Sequence, residues 1–129
     1  MWDKPTRRSR KPRKSKQPSQ EAREECLKRD DWRCVRCGAP LNGNAFSLHH
    51  RRMRSHPFAG LHKPSNLICL CGSGTTGCHG WVHANPKLAY EHGYLVHAWD
   101  DPRRVPVDHH KWGKVYLWSE GCVMCIPEP

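Results

Sequence analysis

The sequence has little apolar mass and no long hydrophobic run. Hydrophobic residues make up 36% of the 129-residue chain, with only two Phe and three Met. No apolar stretch approaches the roughly 20 residues of a membrane span, which argues against a membrane protein. The N-terminus is basic and polar and lacks the apolar core of a secretion signal. Acidic residues are scarce as well, 12 against 22 basic ones, for a formal net charge of +10. This length permits one compact domain with a tail and leaves no room for a second sizeable core. The expectation is a cytosolic chain, where thiols stay reduced. Eight Cys beside ten His then point to metal rather than disulfides.

The positive charge is concentrated at one end. Lys4, Arg7, Arg8, Arg10, Lys11, Arg13, Lys14 and Lys16 stand against Asp3 alone, so residues 1–20 carry +7 of the total +10. With Pro5, Pro12 and Pro18 and almost nothing to bury, residues 1–19 cannot offset their ordering entropy. A disordered basic arm is predicted there. Such an arm suits nucleic-acid phosphates, which it would follow by counterion release.

From Ser19 the composition changes. Residues 20–29 read as a helix with Ser19 as N-cap, acids early (Glu21, Glu24, Glu25) and bases late (Lys28, Arg29), the order that complements the helix dipole. Residues 46–50 and 67–71 read as short strands, and residues 78–84 as a helix capped by Thr75 or Thr76. Pro86 suits the first turn of a further helix that Gly93 closes. Residues 94–99, 105–107 and 114–118 have strand composition and suggest a small antiparallel meander. The fold class is small α+β.

Cys34 and Cys37 have the C-x2-C spacing that brings two thiolates to one ion from a single turn. Cys71 and Cys78 can complete a four-cysteine structural zinc site, which would supply folding energy to a chain with so small a core. Cys69 rivals Cys71, because residues two apart in a strand share a face. Spacing alone does not choose between them.

His79 and His83 are four apart on the predicted helix and project from one face. His49 and His50 are neighbours in a strand and point to opposite faces, so one of them can join the helix pair while the other turns to a substrate. Three protein nitrogens with positions left open are what a catalytic metal needs. Arg51, Arg52 and Arg54 follow as candidate phosphate donors.

Taken in order, Cys34-x2-Cys37, Leu48-His49-His50-Arg51, Asn66-Leu67-x3-Cys71 and Cys78-His79-x3-His83 resemble an HNH endonuclease of the ββα-metal, or His-Me finger, class. The resemblance covers about residues 21–92, and the strands beyond are similar to the C-terminal extension of small phage HNH proteins. It implies an arm at 1–19, a nuclease domain at 20–92 and a C-terminal β extension at 93–129. It further implies His50 as the general base, with His49, His79 and His83 as ligands of a catalytic divalent ion (Mg2+, Mn2+, Ni2+ or Zn2+). Asn66 becomes the residue that fixes the loop behind the base, and Cys34, Cys37, Cys71 and Cys78 become the ligands of structural Zn2+. The family departs from this chain in two places: many members carry Asp at the position of His49, and their second cysteine pair is closer together.

The function so implied is hydrolysis of DNA phosphodiesters to 5′-phosphate and 3′-hydroxyl ends, in a phage setting where terminase packaging proteins are partners. The alternative is a zinc-stabilised DNA-binding module without nuclease activity. Cys122 and Cys125 have knuckle spacing, but residues three apart in a strand face opposite ways, so a site with His109 or His110 is not expected. Cys26 and Trp81 read as packing, and Trp99, Trp112 and Trp118 as strand residues able to stack bases. His56, His62, His92 and His97 receive no role.

Overall fold

The computed structural model describes residues 17–55 and 57–118 with their side chains, and the backbone of residues 123–125. The proposed phosphate contacts Arg7, Arg8, Arg10, Lys11, Arg13 and Lys14 lie outside the described residues, as do His56, Cys122 and the side chain of Cys125.

Helix α1, Gln20–Arg29, begins where the sequence places it, because Ser19 accepts the backbone N–H of Ala22 at 3.1 Å. Strands β1 (Phe46–His50) and β2 (Leu67–Cys71) pair antiparallel, with His50 opposite Leu67 and Phe46 opposite Cys71. Helices α2 (Gly77–Ala84) and α3 (Pro86–Glu91) follow. Strands β3 (Val107–His109), β4 (Gly113–Leu117) and β5 (Val123–Cys125) then form a second antiparallel sheet in the order β3-β4-β5. The fold is therefore α+β with two small antiparallel sheets.

One apolar core runs through both halves. Leu67, Ile68, Cys69 and Leu70 of β2 are fully buried and pack in the same cluster as Leu27, Val82, Val107, Val115 and Leu117. β2 is covered on both faces, which explains why it reads as a continuous apolar run rather than an alternating one.

Among the buried polar side chains, Asp30 and Arg51 are fully buried charges. Asp30, at the end of α1, is fully buried; it accepts from Arg29 at 2.8 and 2.9 Å, from His109 at 3.0 Å and from the backbone N–H of Cys69 at 3.2 Å. Burial opposes its charge, but Arg29 and His109 outweigh burial and hold the carboxyl down at about 2. The second group is Arg51. Its Nε donates to the Gly93 carbonyl at 2.8 Å, its Nη1 to Ser65 and Pro102 at 3.0 Å each, and its Nη2 to Val105 at 2.6 Å. The expectation that Arg51 contacts phosphate is thus corrected. Its guanidinium is fully buried and holds three backbone segments together.

The predicted strand at 94–99 is also corrected. Gly93, at φ +80°, reverses the chain, and the N–H groups of Tyr94 and Leu95 both reach the Ala89 carbonyl, at 2.9 and 3.2 Å. The segment therefore wraps the end of α3, and Val96 makes only an isolated bridge to Arg52. Likewise 105–107 starts too early as a strand. Asp101 caps a single 3-10 turn, Pro102–Arg104, so pairing begins at Val107.

Candidate metal centre

Two groups of ligand atoms converge, each within 4.8 Å: Cys34, Cys37, Cys71 and Cys78 in one, His49, His79 and His83 in the other. The Sγ atoms of Cys37 and Cys71 are 3.8 Å apart. Two thiolates at about 2.3 Å from one tetrahedral zinc stand at about that separation. The backbone N–H groups of Cys37 and Cys78 point to the sulfurs of Cys34 and Cys71 at 3.5 and 3.4 Å. Burial pushes the thiols of Cys34 and Cys78 up, and a divalent cation among the four would reverse that shift.

The wide gap between the second pair is closed by two glycines. Gly72 (φ +86°) and Gly77 (φ +62°) bring the loop back on itself so tightly that a Cβ at Gly72 would stand 2.1 Å from the Thr76 carbonyl oxygen. Cys78 at the head of α2 thereby meets Cys71 at the end of β2. Cys69 does not join them. It sits mid-sheet opposite Leu48, fully buried in the apolar core, so the choice the sequence leaves open falls to Cys71. Arg36, inside the knuckle, donates to Cys78 Sγ at 3.4 Å and lies 3.7 Å over the Trp81 ring. Trp81 packs against the core, as the sequence implies.

The imidazole site is built from the sheet and from α2. The pleat turns His49 towards α2, with its ring centroid 5.0 Å from that of His79 and 5.7 Å from that of His83. His49 Nε2 lies 2.8 Å from the Tyr94 carbonyl, so this nitrogen carries the proton and Nδ1 keeps the lone pair. A backbone carbonyl that fixes the tautomer is the usual support of a metal-binding histidine. Burial holds the His49 ring down at about 3, and it remains neutral. The Nε2 atoms of His79 and His83 face each other at 3.1 Å, a separation two nitrogens on one ion would adopt. His79 Nδ1 is buried without a hydrogen-bond partner among the described residues, so the ring is held from its Nε2 side. The donor set fits a divalent cation, and its nitrogens favour transition metals over magnesium. His49 is buried and His83 exposed, which leaves the site open on one side.

No family model, curated protein or solved structure matches the chain. The site therefore rests on its own geometry.

His50 stands outside the imidazole ligand set but lines the same groove as the other three, and its Nε2 is 3.0 Å from Nδ1 of His62. Burial first, then the nearby His62 and Arg54, push it down to about 4. His62 is a residue the sequence reading passed over. It lies twelve positions along an irregular loop, and no spacing announces it. Asn66 clamps the backbone of the loop that follows β1. Its Oδ1 accepts the Arg52 N–H at 2.7 Å, and its Nδ2 donates to the carbonyls of Arg52 and Leu61 at 3.2 and 3.0 Å. The Asn66→Asp variant would set a carboxylate oxygen against those two carbonyls. We expect it to lose about 3 kcal/mol of stability, measured by urea denaturation of the zinc-loaded protein.

The three loop arginines diverge. Arg54 lines the histidine groove with Arg23 and Met53. Arg52 faces a different groove, its guanidinium 4.1 Å over the Phe58 ring, so as a donor beside the metal it is corrected. His109 has both ring nitrogens engaged, by Asp30 at 3.0 Å and by the N–H of Lys111 at 3.1 Å, and is not available to a cysteine pair.

Proposed function

We propose that the protein is a metal-dependent endonuclease of the HNH type, cutting DNA phosphodiester bonds. One observation carries the reading: three imidazoles converge on one point while the adjacent His50 stands in the same groove outside that ligand set. The succession β1, β2, α2 and the Asn66 clamp agree with the ββα-metal class the sequence resembles. His49, His79 and His83 would hold the ion, which when bound supplies Lewis acidity to the phosphate and the departing oxygen.

The chain's own groups do the rest. His50, its Nε2–H donated to His62, takes the proton of an attacking water on Nδ1, and His62 orients the ring as the third group of a nucleophile–base pair does. Asn66 keeps the loop, and with it the His50 backbone, in place. Arg54 and Arg23 offer charge-assisted donors to the phosphates on either side, which position the strand without reading its sequence. The basic composition of residues 1–20 would add affinity of the same kind. Any partnership with phage packaging proteins rests on the family resemblance.

The test is His50→Ala. Plasmid nicking, assayed with Mg2+, Mn2+, Ni2+ and Zn2+ in turn, is expected to fall roughly 10²- to 10⁴-fold, with bound zinc and DNA affinity nearly unchanged. Nicking at the wild-type rate would remove His50 as the base. A wild-type protein that binds DNA and cuts nothing with any of the four ions would be a binding module instead.

A further inference from the structure

Three aromatic rings form a stack that ends at the groove lined by Arg52. Tyr90 of α3 lies 3.9 Å from His97 with the planes 6° apart, and His97 lies 4.5 Å from Trp99 with the planes 4° apart. The last ring is 79% exposed. A tryptophan left in water would ordinarily move among several rotamers; here its inner face is held by His97, and the outer face is presented flat and pre-ordered. Pre-ordering lowers the entropic cost of adding one more ring to the pile.

The surroundings select the ligand. Trp99 lines a groove of about 490 Å³ with Arg52, Phe58, Lys63 and Arg103, and with the carboxylates Asp100 and Asp101. Asp101 is engaged by Arg103, at 2.9 and 3.2 Å. Arg52 rests on Phe58, and its Nε has no hydrogen-bond partner among the described residues. The groove thus joins a flat apolar ring to cationic donors. A nucleotide has this combination of a planar base and an anion. A paired base shows only its edges in the grooves of a duplex, whereas an unpaired one offers its face.

We propose that the Tyr90–His97–Trp99 stack is a docking platform for an unpaired nucleobase of a single-stranded or frayed DNA segment, whose adjoining phosphate meets Arg52 and Lys63. This rests on the nucleic-acid reading of the histidine groove and extends it. Residues 50–54 form the wall between the two grooves, with His50, Met53 and Arg54 on one side and Arg52 on the other. A strand crossing that wall would have one base stacked on Trp99 and a phosphate a few nucleotides away beside His50. The site then favours substrates with an unpaired stretch next to the cut.

The experiment uses the zinc-loaded 129-residue chain carrying His50→Ala, so that binding is read without cleavage. Fluorescence anisotropy compares a labelled single-stranded oligonucleotide with a duplex of equal length. Adding Trp99→Ala is expected to weaken single-strand binding about tenfold and duplex binding less than twofold, while Trp99→Phe retains most of the affinity. A 2-aminopurine in the single strand is expected to be quenched by the parent and not by Trp99→Ala. Unchanged single-strand affinity in Trp99→Ala would overturn the platform and leave the nuclease reading standing. A parent that binds neither DNA would remove both. Because Trp99 is so exposed, misfolding is not the expected outcome of its replacement, and retained zinc and circular dichroism verify this.

Discussion

Removing zinc from the four-cysteine site is expected to unfold the protein, with loss of the far-UV helical signal and of the near-UV signal from the packed tryptophans. Structural zinc contributes on the order of 10–16 kcal/mol in small zinc-dependent domains, and whole domains are stable by only about 5–15 kcal/mol. This chain has little with which to compensate, since 36% of its residues are hydrophobic. The site also fastens three separate pieces: the knuckle after α1, the end of β2 and the head of α2. Cys37→Ser is expected to give the same result without a chelator. Equal melting temperatures with and without bound zinc, followed by differential scanning calorimetry, would show that the thiolate cluster does not hold the fold.

The second large effect is expected at Arg51. Replacing it with Leu removes the donors for the carbonyls of Ser65, Gly93, Pro102 and Val105 and leaves them buried. At about 1–3 kcal/mol for each unsatisfied group, the loss should exceed about 4 kcal/mol. Arg51→Lys should lie between, because an ammonium cannot span the four acceptors that the guanidinium fork reaches. Urea denaturation of zinc-saturated protein measures both. The same series separates a structural arginine from a phosphate contact. Arg54→Ala should reduce the salt slope of DNA binding by about 1, whereas folded Arg51→Lys should leave that slope unchanged. A reduced slope in Arg51→Lys would return Arg51 to the DNA-binding surface.

What could be read from the sequence was what local chemistry decides. Ser19 as cap, the acid-to-base order of α1, the C-x2-C knuckle and the i, i+4 histidines each depend on neighbours within one or two turns. The pleat likewise separates His49 from His50 whatever packs around them. The features missed depend on contacts between distant positions. Arg51 meets carbonyls 14 to 54 residues away, and Asp30 meets His109 across 79. A buried arginine is spelled like an exposed one, so Arg51 was grouped with Arg52 and Arg54. Residues 94–99 have strand composition, but the reversal at Gly93 decides their course. Cys71 prevailed over Cys69 through the fold of the glycine loop, which residue spacing does not convey.

One peptide bond separates Cys78 from His79, so the first turn of α2 belongs to both ligand groups. An ion held by the four sulfurs would fix the leading end of the helix that presents both imidazoles. A chelator strong enough to empty the cage would then disperse the imidazoles as well, so the two groups stand or fall together.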